Sequence, residues 1–367
     1  MKIIYDSQIF LSQVYGGISR YFFELVRRMD NQEGVHAKII APLYINNYIK
    51  DLNSGIVSGR HVPHIHRTGF LLKALNQIVA PKRMAKFNPD IVHETYYSNK
   101  QPLLSKTVKT IITVYDMIHE RYSECFPDND STALTKRMNV ERADHVICIS
   151  ENTRRDLLEI TGIAPSKVSV VHLGFDLTTK SDNFDGIDGT EPYLLYVGDR
   201  GGYKNFARLL SSYGKNSVLH KHYKLICFGG GKLKQSEHQL RKALGLAADR
   251  LTHIEGNDHI LGRLYRHATA FVYPSLYEGF GIPPLEAMSH GCPVICSNGG
   301  SIPEIVGNAG QYFDPYEEES MTHAIEQVVS SQECADRLRI LGEERITRFS
   351  WETCAEKTYK IYKSLKG

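Results

Sequence analysis

Short apolar runs recur along the chain with helical patterns between them. Lys2–Tyr5, Ala37–Ala41, Ile91–His93, Thr110–Tyr115, His145–Ser150 and Val168–His172 are each too short for a helix and rich in β-branched residues. They read as short buried strands. Ile18–Met29, Leu134–Arg142 and Glu151–Ile160 carry helical patterns between several of them. Strand then helix, repeated, predicts a parallel sheet with crossover helices. The polar stretch 177–190 then reads as an interdomain linker. A second series starts at Tyr193, with strands expected at Leu194–Val197, Lys224–Phe228, Leu251–Ile254, Ala270–Tyr273 and Pro293–Cys296. A last helical pattern, Glu352–Leu365, follows the capping signal Ser350 and the only tryptophan, Trp351. The expectation is an α/β protein of two Rossmann-like domains, 1–176 and 191–350, with a closing helix at 351–367.

Composition narrows the class. At 367 residues the chain is long enough for two domains, and 42% hydrophobic with 23% charged residues is ordinary for a globular protein. A net charge of +3 is too mild to argue for nucleic acid, and no nucleic-acid-binding signature appears. The seven cysteines form no metal-ligand pairs, and several sit in apolar strands, which suits a reducing compartment. The amino terminus runs into a strand without a secretory apolar region, and no apolar stretch nears the roughly 18 residues of a membrane span. The chain is expected in the cytoplasm.

The chemistry concentrates in Glu278-Gly-Phe-Gly-Ile-Pro-Pro-Leu-Glu286. Two acids bracket a glycine turn and a Pro-Pro helix start, where missing N–H groups cost least. Glu278 is expected in a loop and Glu286 in the first turn of the new helix, with a phosphate-attracting helix end between them. Upstream, the strand ending at Gly198 leads into Asp199-Arg-Gly-Gly-Tyr-Lys-Asn205, with Asn205 a predicted N-cap. Arg200 and Lys204 thus lie beyond the carboxyl end of a strand, where open α/β sheets bind ligands, and two cations there suit a diphosphate. Gly16 and Gly17 stand between the first strand and its helix, which permits close backbone approach and aims a helix start outward; Arg20 lies in that first turn. No G-x-G-x-x-G occurs, and Gly229-Gly-Gly-Lys232 is not a P-loop; it reads as a loop near a nucleotide base or as a plain turn. Asp128-Asn-Asp130 has a metal-binding spacing but follows Pro127 in a polar run, as a solvated turn would.

Glu278 and Glu286 with the intervening turn match the E-x7-E motif of the retaining GT-B glycosyltransferases of family 4. The run from Ala268 to Pro315 resembles that family throughout. Tyr196-Val-Gly198 with Arg200, Lys204 and Asn205 is similar to its donor-phosphate turn, and Tyr15–Tyr21 looks like its N-terminal glycine loop. The resemblance implies the GT-B architecture, two Rossmann-like domains facing across a cleft, with the last helix returning to the first domain. It implies that Glu278 contacts the transferred sugar and Glu286 the ribose, while backbone groups of Gly279, Phe280, Gly281 and Ile282 hold sugar and phosphate. Arg200 and Lys204 would clamp the diphosphate of a UDP- or GDP-sugar, with no metal and no cofactor. Many relatives carry His-Asp where this chain has Tyr115-Asp116. Either the Tyr115 hydroxyl or nearby His119 is then expected to serve the transferred sugar.

Four further readings complete the sequence. His93, at a strand end, either lines the site or is a satisfied structural histidine. Asp116 either joins the acceptor side or acts as a helix cap. Ser301-Ile-Pro-Glu304 reads as a capping box. The segment His61–Lys86 mixes Arg67, Lys73, Lys82, Arg83 and Lys86 with Phe70, Leu71, Leu72, Leu75 and Ile78. That suits an anionic membrane surface. The expected function is transfer of mannose or another hexose, with retention, to a saccharide acceptor, lipid-linked, in surface-polysaccharide assembly. The alternatives are a nucleotide-sugar epimerase and a non-catalytic nucleotide-sugar-binding protein.

Overall fold

The computed structural model describes residues 1–53, 55–65, 69–100, 105, 107–175 and 191–366. The expected linker and Arg67 lie outside them. Two compact units emerge. One holds 1–121, 127–174 and 350–367; the other holds 122–126 and 175–349.

The first unit is built on β1 (Lys2–Tyr5), β2 (His36–Tyr44), β3 (Val57–His61), β4 (Ile91–Glu94), β5 (Lys109–Val114), β6 (His145–Cys148) and β7 (Val168–Val170). Among the described residues they form one parallel sheet in the order β3-β2-β1-β4-β5-β6-β7. The order reverses between β1 and β4. Buried runs such as Ile3-Ile-Tyr5 and Ile111-Ile112 fill both faces, as a sheet covered by helices on each side requires. The strand β3 was not expected. Its Val-Ser-Gly-Arg-His sequence lies at the sheet edge, with Gly59 and Arg60 exposed, and carries almost no apolar signal.

The closing helix Trp351–Lys366 belongs to this unit. Its Tyr362 hydroxyl lies 2.6 Å from Nδ1 of His93 and 3.2 Å from the Tyr5 hydroxyl. Nε2 of His93 sits 2.8 Å from Oγ1 of Thr113. His93 is fully buried, and protein hydroxyls occupy both ring nitrogens. The site-lining reading of His93 is therefore corrected: it is a core residue that ties the last helix to β4 and β5.

Burial holds His93 neutral and pushes its pKa down to about 3. The unfolded chain protonates near 6.5 and so binds more protons between those values. Stability should accordingly be complete above about pH 6.5 and fall with decreasing pH, at up to ~1.4 kcal/mol per unit. In His93→Gln the loss of unfolding free energy between pH 7 and 5, measured by urea titration, should shrink by about 1–2 kcal/mol. An unchanged pH dependence would show that His93 is not held neutral.

The second unit contains β8 (Tyr193–Val197), β9 (Lys224–Phe228), β10 (Leu251–Ile254), β11 (Ala270–Tyr273), β12 (Val294–Ser297) and β13 (Gly310–Phe313). Among the described residues they form a second parallel sheet, β10-β9-β8-β11-β12-β13, reversing between β8 and β11. Its core joins Leu194 and Tyr196 with Leu209, Leu210 and Tyr213 of the helix Phe206–Lys215 and with Met321 and Ile325 of the helix Glu318–Val329. The strand β13, Gly-Gln-Tyr-Phe at the other edge, was also not expected, for the same reason as β3. No helix among the described residues is long and apolar enough to cross a membrane.

Candidate active site

In an open α/β sheet the strand-order reversal leaves a crevice beyond the carboxyl ends of the strands. In the second unit, β8 and β11 flank that point, and both motif segments leave from there. After β8 comes a 3-10 turn, Gly202–Lys204; after β11 comes Glu278-Gly-Phe-Gly281 and the helix Ile282–Ser289.

Local interactions lock these loops together. The side-chain amide of Asn205 donates to the carbonyls of Pro274 (3.1 Å) and Pro315 (2.8 Å), and Leu276 N–H donates to Tyr203 O at 2.8 Å. Asn205 occupies the N-cap of the helix Phe206–Lys215, as expected, but its side chain makes no capping bond. It adopts a left-handed φ of 57° and staples the turn to the β11 loop. Gly198 N–H donates to Phe228 O at 2.9 Å, joining the start of the turn to β9.

The turn and the acidic loop meet at one ion pair. Nζ of Lys204 lies 2.7 Å from Oε1 of Glu278, with the side chains 21% and 11% exposed. Burial pulls the Lys204 pKa down, but the Glu278 charge and hydrogen bond outweigh it and hold it above the ordinary lysine value. Lys204 remains a cation.

Arg200 is elsewhere. Its side chain is wholly buried, with Nε 2.9 Å from Oε1 of Glu237. Nη1 donates to Gly229 O (2.8 Å), and Nη2 to Gly231 O (2.7 Å) and Lys232 O (2.9 Å). Four contacts consume the guanidinium in holding the Gly229–Lys232 loop, whose three glycines all take left-handed φ values near 70°. The diphosphate-clamp reading of Arg200 is corrected accordingly: its side chain holds the Gly229–Lys232 loop, and the basic side chain paired with Glu278 among the described residues is that of Lys204.

Two other expectations shift. Ser301 stands at the N-cap of the helix Ile302–Val306, but its side chain makes no capping bond. Its hydroxyl lies 2.8 Å from Glu278 O and 2.7 Å from Phe280 O, and its N–H donates to Glu278 O at 3.2 Å. Glycine is needed beside it: a Cβ on Gly300 would lie 2.8 Å from Glu278 N. Glu286 lies in the second turn of its helix, one turn later than expected, because the helix begins at Ile282 with Pro283 and Pro284 in its first turn. Its Oε2 accepts from the buried Tyr265 hydroxyl at 3.3 Å. Gly281, at φ 126°, occupies the N-cap, and Phe280 is buried, its ring edge-on to Phe349 at 5.7 Å. Sequence reading gave Ser301 another role and missed Tyr265 and Glu237. The Gly-Gly-Ser run after β12 was the available signal for the first; the other two carry none.

In the first unit the remaining candidates lie beyond β1, β4 and β5. Gly16 and Gly17 open the helix Gly17–Asp30, where Oε1 of Gln13 accepts from Ser19 N–H at 3.1 Å, so a side chain already occupies that helix start. Arg20 is half-buried in its first turn. Tyr115 is buried and its hydroxyl donates to Thr95 O at 3.2 Å. That hydroxyl is committed to the main chain, which corrects its reading as the stand-in for the family histidine. Asp116 Oδ1 accepts from Ile118 N–H at 3.0 Å and sits 3.7 Å from the buried Lys136 ammonium, the cap and salt-bridge arrangement. His119 is partly exposed, with Nε2 3.8 Å from Oδ2 of Asp130. Asp130 in turn accepts from Thr132 N–H at 2.7 Å. Among the described residues no three metal-ligating side chains cluster.

Known proteins match this arrangement along its length. The profile of the glycosyl transferases group 1 matches residues 178–345, and that of glycosyltransferase family 4 matches 15–179, so the two together run from 15 to 345. O-antigen chain mannosyltransferase B of Escherichia coli is 26% identical over 387 residues, covering 100% of both chains. O-antigen chain mannosyltransferase RfbU of Salmonella typhimurium is 29% identical over 301 residues, 76% of this chain and 82% of that one. The solved structure of sucrose-phosphate synthase from Thermosynechococcus elongatus shares the fold, with a TM-score of 0.76 at 21% identity over 99% of this chain and 98% of that one. With motif, paired sheets and matches in agreement, the chain belongs to the family 4, group 1 glycosyltransferases and has the GT-B fold.

Proposed function

We propose that this glycosyltransferase moves a hexose, mannose foremost, from a GDP- or UDP-sugar to a lipid-linked saccharide during surface-polysaccharide assembly, with retention of the anomeric configuration. The observation that carries this reading is the Lys204–Glu278 pair at the β8/β11 reversal. A cation and a hydroxyl-accepting carboxylate 2.7 Å apart are what a sugar bonded to a diphosphate requires. Mannose comes from the relatives, since two of those most like this chain are mannosyltransferases of O-antigen chains.

In this reading the donor's phosphate oxygens take over Lys204, and the donor's sugar hydroxyls take over Glu278. Glu286 accepts from the ribose hydroxyls. The bond between the anomeric carbon and the β-phosphate oxygen breaks while the acceptor hydroxyl oxygen bonds to the same face of that carbon. The acceptor's proton passes to the departing phosphate oxygen. Lys204 and the Ile282 helix start stabilise the charge that develops there, usually the largest catalytic contribution. No metal or cofactor takes part.

The test is a thermal-shift screen with GDP, UDP and their sugar conjugates, without added metal, followed by transfer to a synthetic lipid-linked acceptor and assignment of the new linkage by NMR. One nucleotide should shift the melting temperature and its sugar should appear with the donor's anomeric configuration. Inversion, or no shift with any nucleotide, would overturn the reading. Conversion of the donor sugar without acceptor would favour an epimerase.

The lipid-linked acceptor and a place at the inner face of the membrane rest on the helix Gly69–Phe87. Its Asn76 is bonded to Leu43 N–H and O at 2.8 Å each, and its Ala80 and Met84 pack with Ile4, Ile40 and Val92. The outer face is inverted in polarity: Phe70 is 80%, Leu71 62%, Leu75 50% and Ile78 66% exposed. At about 100° per residue these four fall within one stripe, together with Lys82 and Lys86, and the helix has no acid. That combination fits an anionic lipid surface. Phe70→Glu with Ile78→Glu should cut partition of the protein onto phosphatidylglycerol vesicles, measured by co-sedimentation, by about tenfold or more. Equal sedimentation of both forms would remove this surface from consideration.

A further inference from the structure

Asn205 closes the turn that carries Lys204, and it meets two separate demands there. The first is on the backbone, which is left-handed at φ 57° and ψ 26°. Among the described residues only Asn88 and Asn205 take a positive φ without being glycine. That conformation is strained for L-residues, and asparagine tolerates it better than most. The second demand is on the buried side chain. Nδ2 donates at 3.1 Å to the carbonyl of Pro274, just past β11, and at 2.8 Å to that of Pro315, just past β13. Oδ1 accepts at 3.3 Å from Nη1 of Arg208, which itself donates to Pro315 O at 2.8 Å. One amide thus ties together the segments that leave β8, β11 and β13. Glycine could make the turn but not the ties. Aspartate would set an acceptor against two carbonyls.

We infer that Asn205 is a positioning residue for donor binding, acting through its neighbour Lys204. The inference rests on the reading of Lys204 as the cation that meets the diphosphate. A lysine ammonium rides on a long flexible stem, so its place is set by where its main chain is held. The main chain of Lys204 ends in the left-handed residue, and the amide of that residue fixes it to the loop that leads to Glu278. The two charged groups then meet at 2.7 Å. Without the ties, the diphosphate would have to order the turn itself, and that ordering entropy is subtracted from affinity.

The experiment separates the β-phosphate from the rest of the nucleotide. GDP and GMP, and UDP and UMP, are each titrated calorimetrically into the full chain. Asn205→Gly keeps the left-handed backbone and removes the amide, and glycine is nearly as good as asparagine at a helix start. The tighter diphosphate should bind about three- to tenfold more weakly, while its monophosphate binds as to wild type. In a Lys204→Met background the same substitution should add nothing. Equal weakening of mono- and diphosphate, or the same loss with and without Lys204, would mean that Asn205 acts on the fold rather than through Lys204, and would overturn the inference. So would wild-type diphosphate affinity in Asn205→Gly when Lys204→Met has lost it. If Lys204→Met binds the diphosphate as wild type does, the reading of Lys204 fails and takes the positioning role with it. Should Asn205→Gly not fold, Asn205→Asp enters the same cycle, since it keeps the shape and loses both amide donors.

Discussion

Glu278→Gln is expected to cut the rate of sugar transfer by about two to three orders of magnitude, the size seen when one preorganised charge-stabilising group is lost. The substitution keeps shape and one acceptor oxygen but removes the charge that faces Lys204 at 2.7 Å. Two effects add in the same direction. The transferred sugar loses its strongest hydroxyl acceptor, and Lys204 loses the partner that offsets its burial and keeps it cationic. GDP or UDP, which lacks the sugar, should still bind within about threefold of wild type, since an interaction made only with the reacting part belongs to kcat. Single-turnover rates with the cognate donor, beside calorimetric nucleotide affinity, check both halves. An unchanged rate would remove Glu278 from the reaction.

Arg200→Ala should act first on stability. The variant leaves Glu237 buried without its guanidinium and takes donors from the carbonyls of Gly229, Gly231 and Lys232. Deleting one partner of a buried pair strands the other charge, which costs about 3–5 kcal/mol. The urea midpoint should fall accordingly, and Arg200→Lys should recover little, because a single ammonium cannot span the same four acceptors. Transfer should fall too, as a consequence of the released loop. A variant as stable as wild type that has lost donor affinity would instead identify Arg200 as a direct phosphate ligand, against the geometry.

The two cases separate what can be read in a linear chain from what cannot. Lys204 and Glu278 announce themselves because each stands in a glycine-marked segment just past an apolar strand, and strands that alternate with helices put all such segments on one edge of the sheet. Arg200 stands in the same kind of segment four residues earlier, and its opposite fate depends on Glu237, which is distant in sequence and carries no local signal. Ser301 misleads for a related reason. A serine three residues before a glutamate is a sound capping pattern, but the fold brings the carbonyls of Glu278 and Phe280 within reach of its hydroxyl. The edge strands β3 and β13 escaped notice because each is bonded on one side only, so burial had not written an apolar run into them. His93 is the converse: chemically expressive in the sequence, and silenced by Tyr362 from the far end of the chain.

Hydrophobic periodicity, with chain punctuation, determined the two parallel-sheet units, several helices and most strand limits, because burial on both faces of a covered sheet demands short apolar runs. The glycine and proline punctuation of Glu278–Glu286 likewise marked the turn and the helix start that follow β11. The tertiary structure decided which of the charged and polar side chains near that place are free to act. A guanidinium, a hydroxyl or an imidazole reaches only a few ångströms, and its role is set by whichever buried partner long-range packing brings within that distance.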